Sequence, residues 1–94
     1  MPTYLIEREI PGANKLTDDE LLAITTKSNA ACDELNATYD WCYSFVAGDK
    51  IYCVHAADSP EVVMEHARLG GFPCNLVAEI SAVFGANGLR ALPR

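Results

Sequence analysis

The chain has 94 residues and a formal net charge of −6, a length that suits one domain with a modest core. Half of the residues are hydrophobic and 21% are charged, the composition of an ordinary globular protein. The seven Lys and Arg do not cluster, so neither nucleic acid nor an anionic membrane is expected as a partner.

The amino terminus, Met1-Pro2-Thr3, leads directly into a strand-like run with no basic region and apolar segment ahead of it. No apolar stretch approaches the roughly 20 residues a membrane helix needs. A cytoplasmic location is expected. Cys32, Cys42, Cys53 and Cys74 then read as free thiols or ligands rather than as a disulfide frame, and none falls in a Cys-x-x-Cys pair.

Tyr4 to Ile10 alternates and is rich in strand formers, and Pro11-Gly12 stops it. Thr17-Asp-Asp-Glu20 is a capping box. Leu21, Ile24, Ser28, Ala31, Cys32 and Leu35 follow at helical spacing, and Asn36 suits the helix end. Tyr39–Ala47 and Lys50–Ala56 read as a hairpin around Gly48-Asp49, since Gly in the first central position suits a type II′ turn. Ser59-Pro60 opens a second helix carrying Val62, Val63, His66, Ala67 and Leu69, and Gly70-Gly71 ends it. Leu76–Phe84 reads as the last strand.

The order is β-α-β-β-α-β, which predicts a ferredoxin-like α+β fold. Two helices would cover one face of a four-stranded antiparallel sheet. The expected domain spans 1–94, with an ordered core of about 3–84 and a tail of 85–94.

The hairpin register places Val46 opposite Ile51, Phe45 opposite Tyr52, Ser44 opposite Cys53 and Cys42 opposite His55. Cys42, Ser44, Cys53 and His55 would then share one face, with the two thiols and the imidazole within about 5–8 Å of one another. Alternation assigns Tyr4, Ile6, Tyr43, Phe45, Tyr52, Val54, Leu76 and Ile80 to the helix-covered face. The other face would carry Leu5, Glu7, Val46, Ile51, Val77, Glu79, Ser81 and Val83 beside the thiols and imidazole. That face is too apolar for water and too polar for a simple core. It predicts a homodimer or a ligand covering it.

Thiolate, imidazole and carboxylate together select a divalent transition metal such as Ni2+, Zn2+ or Cu2+. The candidate ligands are Glu7, Cys42, Cys53, His55 and Glu79, with Glu79 as a ligand shared across the dimer. His66, on the second helix, would be structural or would serve a separate site. Cys32 belongs to the apolar helix stripe, and Cys74 has no assigned role. A Cys-His couple could act as nucleophile and base, but no oxyanion-hole signature, Gly-x-Ser-x-Gly or phosphate loop accompanies it.

The segments Tyr4-Leu-Ile-Glu-Arg8, Trp41-x-x-Ser44-Phe-Val46, Asp49-Lys-x-Tyr-Cys-Val54, Glu65-His-Ala-Arg68 and Gly71-Phe-Pro73 resemble a family of small bacterial proteins catalogued as a domain of unknown function. One branch of that family is described as nickel-binding. The resemblance runs from the first strand to the last and implies a dimeric, ferredoxin-like nickel binder, and the first expectation is a binder that is not an enzyme. Glu7, Cys53 and His66 match its pattern, His55 stands where aromatic residues and His alternate, and Cys42 departs from it. The competing expectation is a small dimeric α/β-barrel enzyme or a module that binds an organic ligand, which rests on fold analogy.

Overall fold

A computed structural model describes residues 1–93. Local chemistry sets the helix ends. Thr17 Oγ1 accepts from the Glu20 N–H at 3.2 Å, and Glu20 Oε1 accepts from the Thr17 N–H at 3.0 Å. This reciprocal cap starts α1, Asp18–Glu34. Ser59 Oγ accepts from the Val62 N–H and Pro60 fills the first turn of α2, Pro60–Gly70. The chain leaves α2 through Gly71, whose φ of +70° is the left-handed conformation that a side chain would disfavour.

Four strands, β1 (Thr3–Glu9), β2 (Tyr39–Ala47), β3 (Lys50–Ala57) and β4 (Leu76–Glu79), form one antiparallel sheet in the order β2-β3-β1-β4. With α1 between β1 and β2, and α2 between β3 and β4, this is the expected ferredoxin-like α+β arrangement. Gly48 has φ +60° and, among the described residues, no non-glycine residue has positive φ, as a type II′ turn at Gly48-Asp49 requires. The last strand ends at Glu79 rather than Phe84. Part of the expected tail is instead a second, two-stranded sheet, β5 (Val83–Gly85) and β6 (Gly88–Arg90). The final residue of that tail lies outside the described residues.

The β1–β3 register decides which side chains meet the helices. Tyr4 pairs with His55, Ile6 with Cys53 and Arg8 with Ile51. Partners in register share a face. All six are buried, and Val63 of α2 joins Tyr4, Ile6, Ile51 and Cys53 in the core, with Ile24 of α1 packed against it. Cys53 and His55 therefore lie beneath the helices, not on the open face. The open face carries Leu5, Glu7, Tyr43, Phe45, Tyr52, Val54 and Leu76. The assignment from alternation was correct for Tyr4 and Ile6 and inverted for the other three strands. Val46, Ile51 and Val77, expected on the open face, also belong to the helix side.

The register of the hairpin changes at Cys42. Ser44 pairs with Cys53, as expected, but Trp41 pairs with His55 and Tyr43 with Val54. Cys42 is the extra residue of a β-bulge, so it does not stand opposite His55. The bulge reverses the alternation along β2. It puts Tyr39 and Trp41 on the same face as Ser44, against the helices.

Candidate functional site

The helix-covered face brings together two imidazoles that come from different elements. His55 is fixed by β3 and is 1% exposed; His66 is fixed by α2 and is 0% exposed. Their ring centroids are 5.2 Å apart at an interplanar angle of 77°. Helical spacing places His66 on the stripe with Val63, Ala67 and Gly70, the buried residues of α2.

The hydrogen bonds of His66 fix its tautomer. Its Nε2 lies 3.2 Å from the Ser28 carbonyl oxygen and 3.3 Å from Ser28 Oγ. A carbonyl oxygen only accepts, so Nε2 carries the proton and donates it. Nδ1 is then a bare lone pair, and it is buried without a hydrogen-bond partner. Burial holds the His66 pKa below the usual imidazole value, against the Ser28 carbonyl bond that raises it.

His55 Nδ1 is hydrogen-bonded to the Tyr39 hydroxyl, while its Nε2 is buried and unpartnered. Its pKa is lowered to about 3, first by burial and then by the nearby His66 and Arg8. The imidazole is neutral at physiological pH and keeps one lone pair. Burial raises the pKa of the Tyr39 phenol, so it remains protonated. The Tyr39 ring stacks on His66 with centroids 4.7 Å apart and meets His55 edge-on at 5.1 Å. Phe72 stacks on His66 at 6.1 Å.

Beside His55 lies a cavity of about 310 Å³, whose walls include Arg8, Ile24, Trp41, Ser44, Cys53 and His55. Arg8 is 3% exposed. Its Nη1 donates to the Pro73 carbonyl at 2.7 Å, and its Cζ sits 5.3 Å from the Phe72 ring centroid. No carboxylate among the described residues pairs with it, since the ion pairs there are Lys50–Glu7 and Arg68–Glu65.

The six expected ligands do not form one cluster. Cys53 and His55 share the buried face, and His66 joins His55 there instead of marking a separate site. Glu7 is on the open face and pairs with Lys50 at 3.0 Å. That bond forms because Lys50, two residues before Tyr52, shares the face on which Tyr52 opposes Glu7. Glu79 is exposed, on the edge strand β4 opposite Tyr4. Cys42 sits at the bulge with Sγ 3.9 Å from the Asp40 carbonyl, and burial together with Asp40 raises its pKa, which disfavours the thiolate. No group of three His, Cys, Asp or Glu residues among the described residues is arranged to hold a metal ion. Sequence reasoning overlooked Arg8, Ser28 and Tyr39. The available signal for Tyr39 was its place two residues before Trp41, on one face of the strand.

A family model described as "Nickel responsive protein SCO4226-like" matches residues 4–80. No curated protein matches the chain. Among solved structures, the chain is similar to "Crystal structure analysis of SCO4226 from Streptomyces coelicolor A3(2)", with a TM-score of 0.66 and 20% identity over 86% of this chain and 98% of that one. At that identity the structural likeness shows the fold, and it agrees with the ferredoxin-like arrangement of the sheet and helices. The family match spans β1 to the end of β4, the segment that holds both histidines, and on it the chain belongs to the nickel-responsive SCO4226-like family.

Proposed function

We propose that the protein is a non-enzymatic binder of a divalent transition metal, nickel by its family, and that His55 and His66 supply the ligands. The observation that carries this reading is the pair of buried, unpartnered imidazole nitrogens, His55 Nε2 and His66 Nδ1. Neutral imidazole is the form that ligates, and both residues are held neutral by burial. A metal–imidazole bond of about 2.1 Å places a ring centre roughly 3 Å from the ion, so two rings sharing one ion have centres within roughly 6 Å. The separation of 5.2 Å falls inside that limit. The other ring nitrogen of His66, Nε2–H, donates to the Ser28 carbonyl, the arrangement that orients and strengthens a ligating histidine.

Tyr39 would orient His55 by accepting from its Nδ1–H, the tautomer that leaves the Nε2 lone pair free to ligate. Two imidazoles leave coordination positions open, for water or for groups of a second copy. Cys53 lies one strand repeat from His55 and is the nearest of the expected thiols along the chain. The other expected ligands, Glu7, Cys42 and Glu79, would be outside this site. The same reading places the protein in the cytoplasm, where its four free cysteines stay reduced. No helix among the described residues is long and apolar enough to cross a membrane. A homodimer through the open face completes the reading, with Tyr43, Phe45 and Leu76 in the contact in place of the buried Ile51.

The test is nickel bound per chain, measured by calorimetry and elemental analysis on protein purified without a polyhistidine tag. His55→Ala and His66→Ala should each weaken binding by roughly 10-fold or more, while Cys42→Ser should not change it. Nickel bound equally by the wild type and both histidine variants would overturn the assignment.

A further inference from the structure

The cavity against β1 and β3 combines features that the metal reading does not use. Its walls are apolar along Ile10, Leu21, Ile24 and Ile51, yet one of its lining residues is the buried cation Arg8. A buried charge is costly unless it is paired. Arg8 has one backbone acceptor, the Pro73 carbonyl, and the face of Phe72, but no carboxylate among the described residues. The guanidinium has five N–H donors, and the recorded side-chain bond uses one nitrogen.

We infer that this cavity binds a hydrophobic monocarboxylate whose carboxylate pairs with Arg8 and whose apolar body lies against Ile24 and Ile51. Charge selects the class. Arg8 is the one Lys, Arg, Asp or Glu among the described residues that line the cavity. One carboxylate neutralises it. A phosphate dianion would leave a net negative charge in an apolar enclosure. The planar guanidinium also matches the two oxygens of a carboxylate.

Polar groups nearby add direction. Trp41 Nε1 donates to Ser44 Oγ at 2.8 Å, which leaves the Ser44 hydroxyl proton free to donate in turn. The volume of about 310 Å³ lies at the lower end of the range for small-molecule sites, which favours a short-chain or single-ring acid over a long-chain one. Carboxylate binding here does not depend on the metal reading, because Arg8 rather than a histidine is the anchor.

The experiment is calorimetric titration of chelator-treated, dialysed protein with sodium 4-phenylbutanoate and sodium hexanoate. The matching 4-phenylbutanamide and inorganic phosphate serve as comparisons. The acids should bind at least 10-fold more tightly than the amide, and phosphate should bind weakest. Arg8→Met should remove the preference for acid over amide. Ile24→Trp, which fills the cavity and keeps Arg8, should abolish binding of both. The inference is overturned if neither acid binds at millimolar concentration, if acid and amide bind alike, if phosphate binds as tightly as the acids, or if Ile24→Trp leaves binding unchanged. Should Arg8→Met fail to fold, the comparison of acid with amide on the wild type still decides.

Discussion

His66 donates from Nε2 to the Ser28 carbonyl at 3.2 Å, which ties α2 to α1 and leaves Nδ1 facing the buried interior without a proton. The tautomer follows from the acceptor: a carbonyl accepts and cannot donate. Nitrogen-15 NMR of the metal-free protein at neutral pH should therefore show His66 protonated at Nε2. Protonation at Nδ1 would remove the donor lone pair on which the metal site depends.

Buried neutral histidines also make the fold sensitive to acid. The pKa of His55 is lowered from an ordinary 6.5 to about 3, and that of His66 is lowered in the same direction. Below pH 6.5 the unfolded chain takes up protons that the folded chain refuses, so stability falls as pH falls. The loss begins near the unfolded pKa and is complete for His55 only below about 3. Each such histidine contributes a slope of up to about 1.4 kcal/mol per pH unit. Urea unfolding of the metal-free protein should show lower stability at pH 5 than at pH 7, ahead of the range in which carboxylates titrate. His55→Phe should flatten that dependence. A stability that is constant or rising from pH 7 to pH 5 would contradict the buried neutral assignment.

Tyr39 links both rings, through its hydroxyl to His55 and through its face to His66. Tyr39→Phe keeps the stacking and removes the hydroxyl. His55 Nδ1 would then be buried without a partner, at a cost of about 1–3 kcal/mol. Nickel affinity should fall by roughly 10-fold or more, the loss usual for a group that orients a ligand. An unchanged affinity in Tyr39→Phe would show that His55 is not held for ligation by this bond.

The order of elements was legible because each carries a local signal. The capping box at Thr17, the Ser59-Pro60 start and the Gly48 turn act through neighbours in sequence, and each appears where expected. The choice of face was not legible, for two physical reasons. From Cys53 to Ala57 every residue of β3 is buried, so both faces of that strand lack polar contrast. The bulge at Cys42 then reverses the alternation of β2, and one extra residue moves every side chain beyond it to the other face. The meeting of His55 with His66 was hidden for the same reason. It depends on which face α2 covers, and the inverted assignment put the two rings on opposite sides of the sheet.

Gly70 at the end of α2 controls the ring that supports both His66 and Arg8. A Cβ at this position would overlap the Phe72 side chain. Phe72 stacks on His66 and lies under the Arg8 guanidinium. Alanine should gain about 1 kcal/mol in helix propensity, but displacing a packed ring costs about 1–3 kcal/mol. Gly70→Ala should therefore lower stability in urea unfolding and shift the His66 ring resonances in NMR spectra. A stabilised protein with unmoved His66 signals would mean that the Phe72 ring yields freely and does not position the histidine.

The open face carries the last prediction. Tyr43 and Phe45 are 50% and 49% exposed, and Leu76 is 44% exposed. Phe45 stacks on Tyr52 with centroids 5.4 Å apart, so the two rings form one apolar surface across β2 and β3. The Lys50–Glu7 pair lies beside that surface. A patch of large apolar side chains with a charged rim is the kind of surface that associates, and a small chain with a modest core gains from covering it. Two-fold pairing of this face with itself would bury Phe45 of each copy without requiring a second surface. Sedimentation of the wild type at micromolar concentration should show a dimer, and Phe45→Glu should convert it to a monomer with an unchanged circular dichroism spectrum. Phe45→Glu leaves the buried face untouched, so the monomer also separates the two halves of the reading. If the imidazoles suffice, nickel binding persists in the monomer; if a second copy completes the coordination, binding weakens with dissociation. A wild type that sediments as a monomer would overturn the dimer.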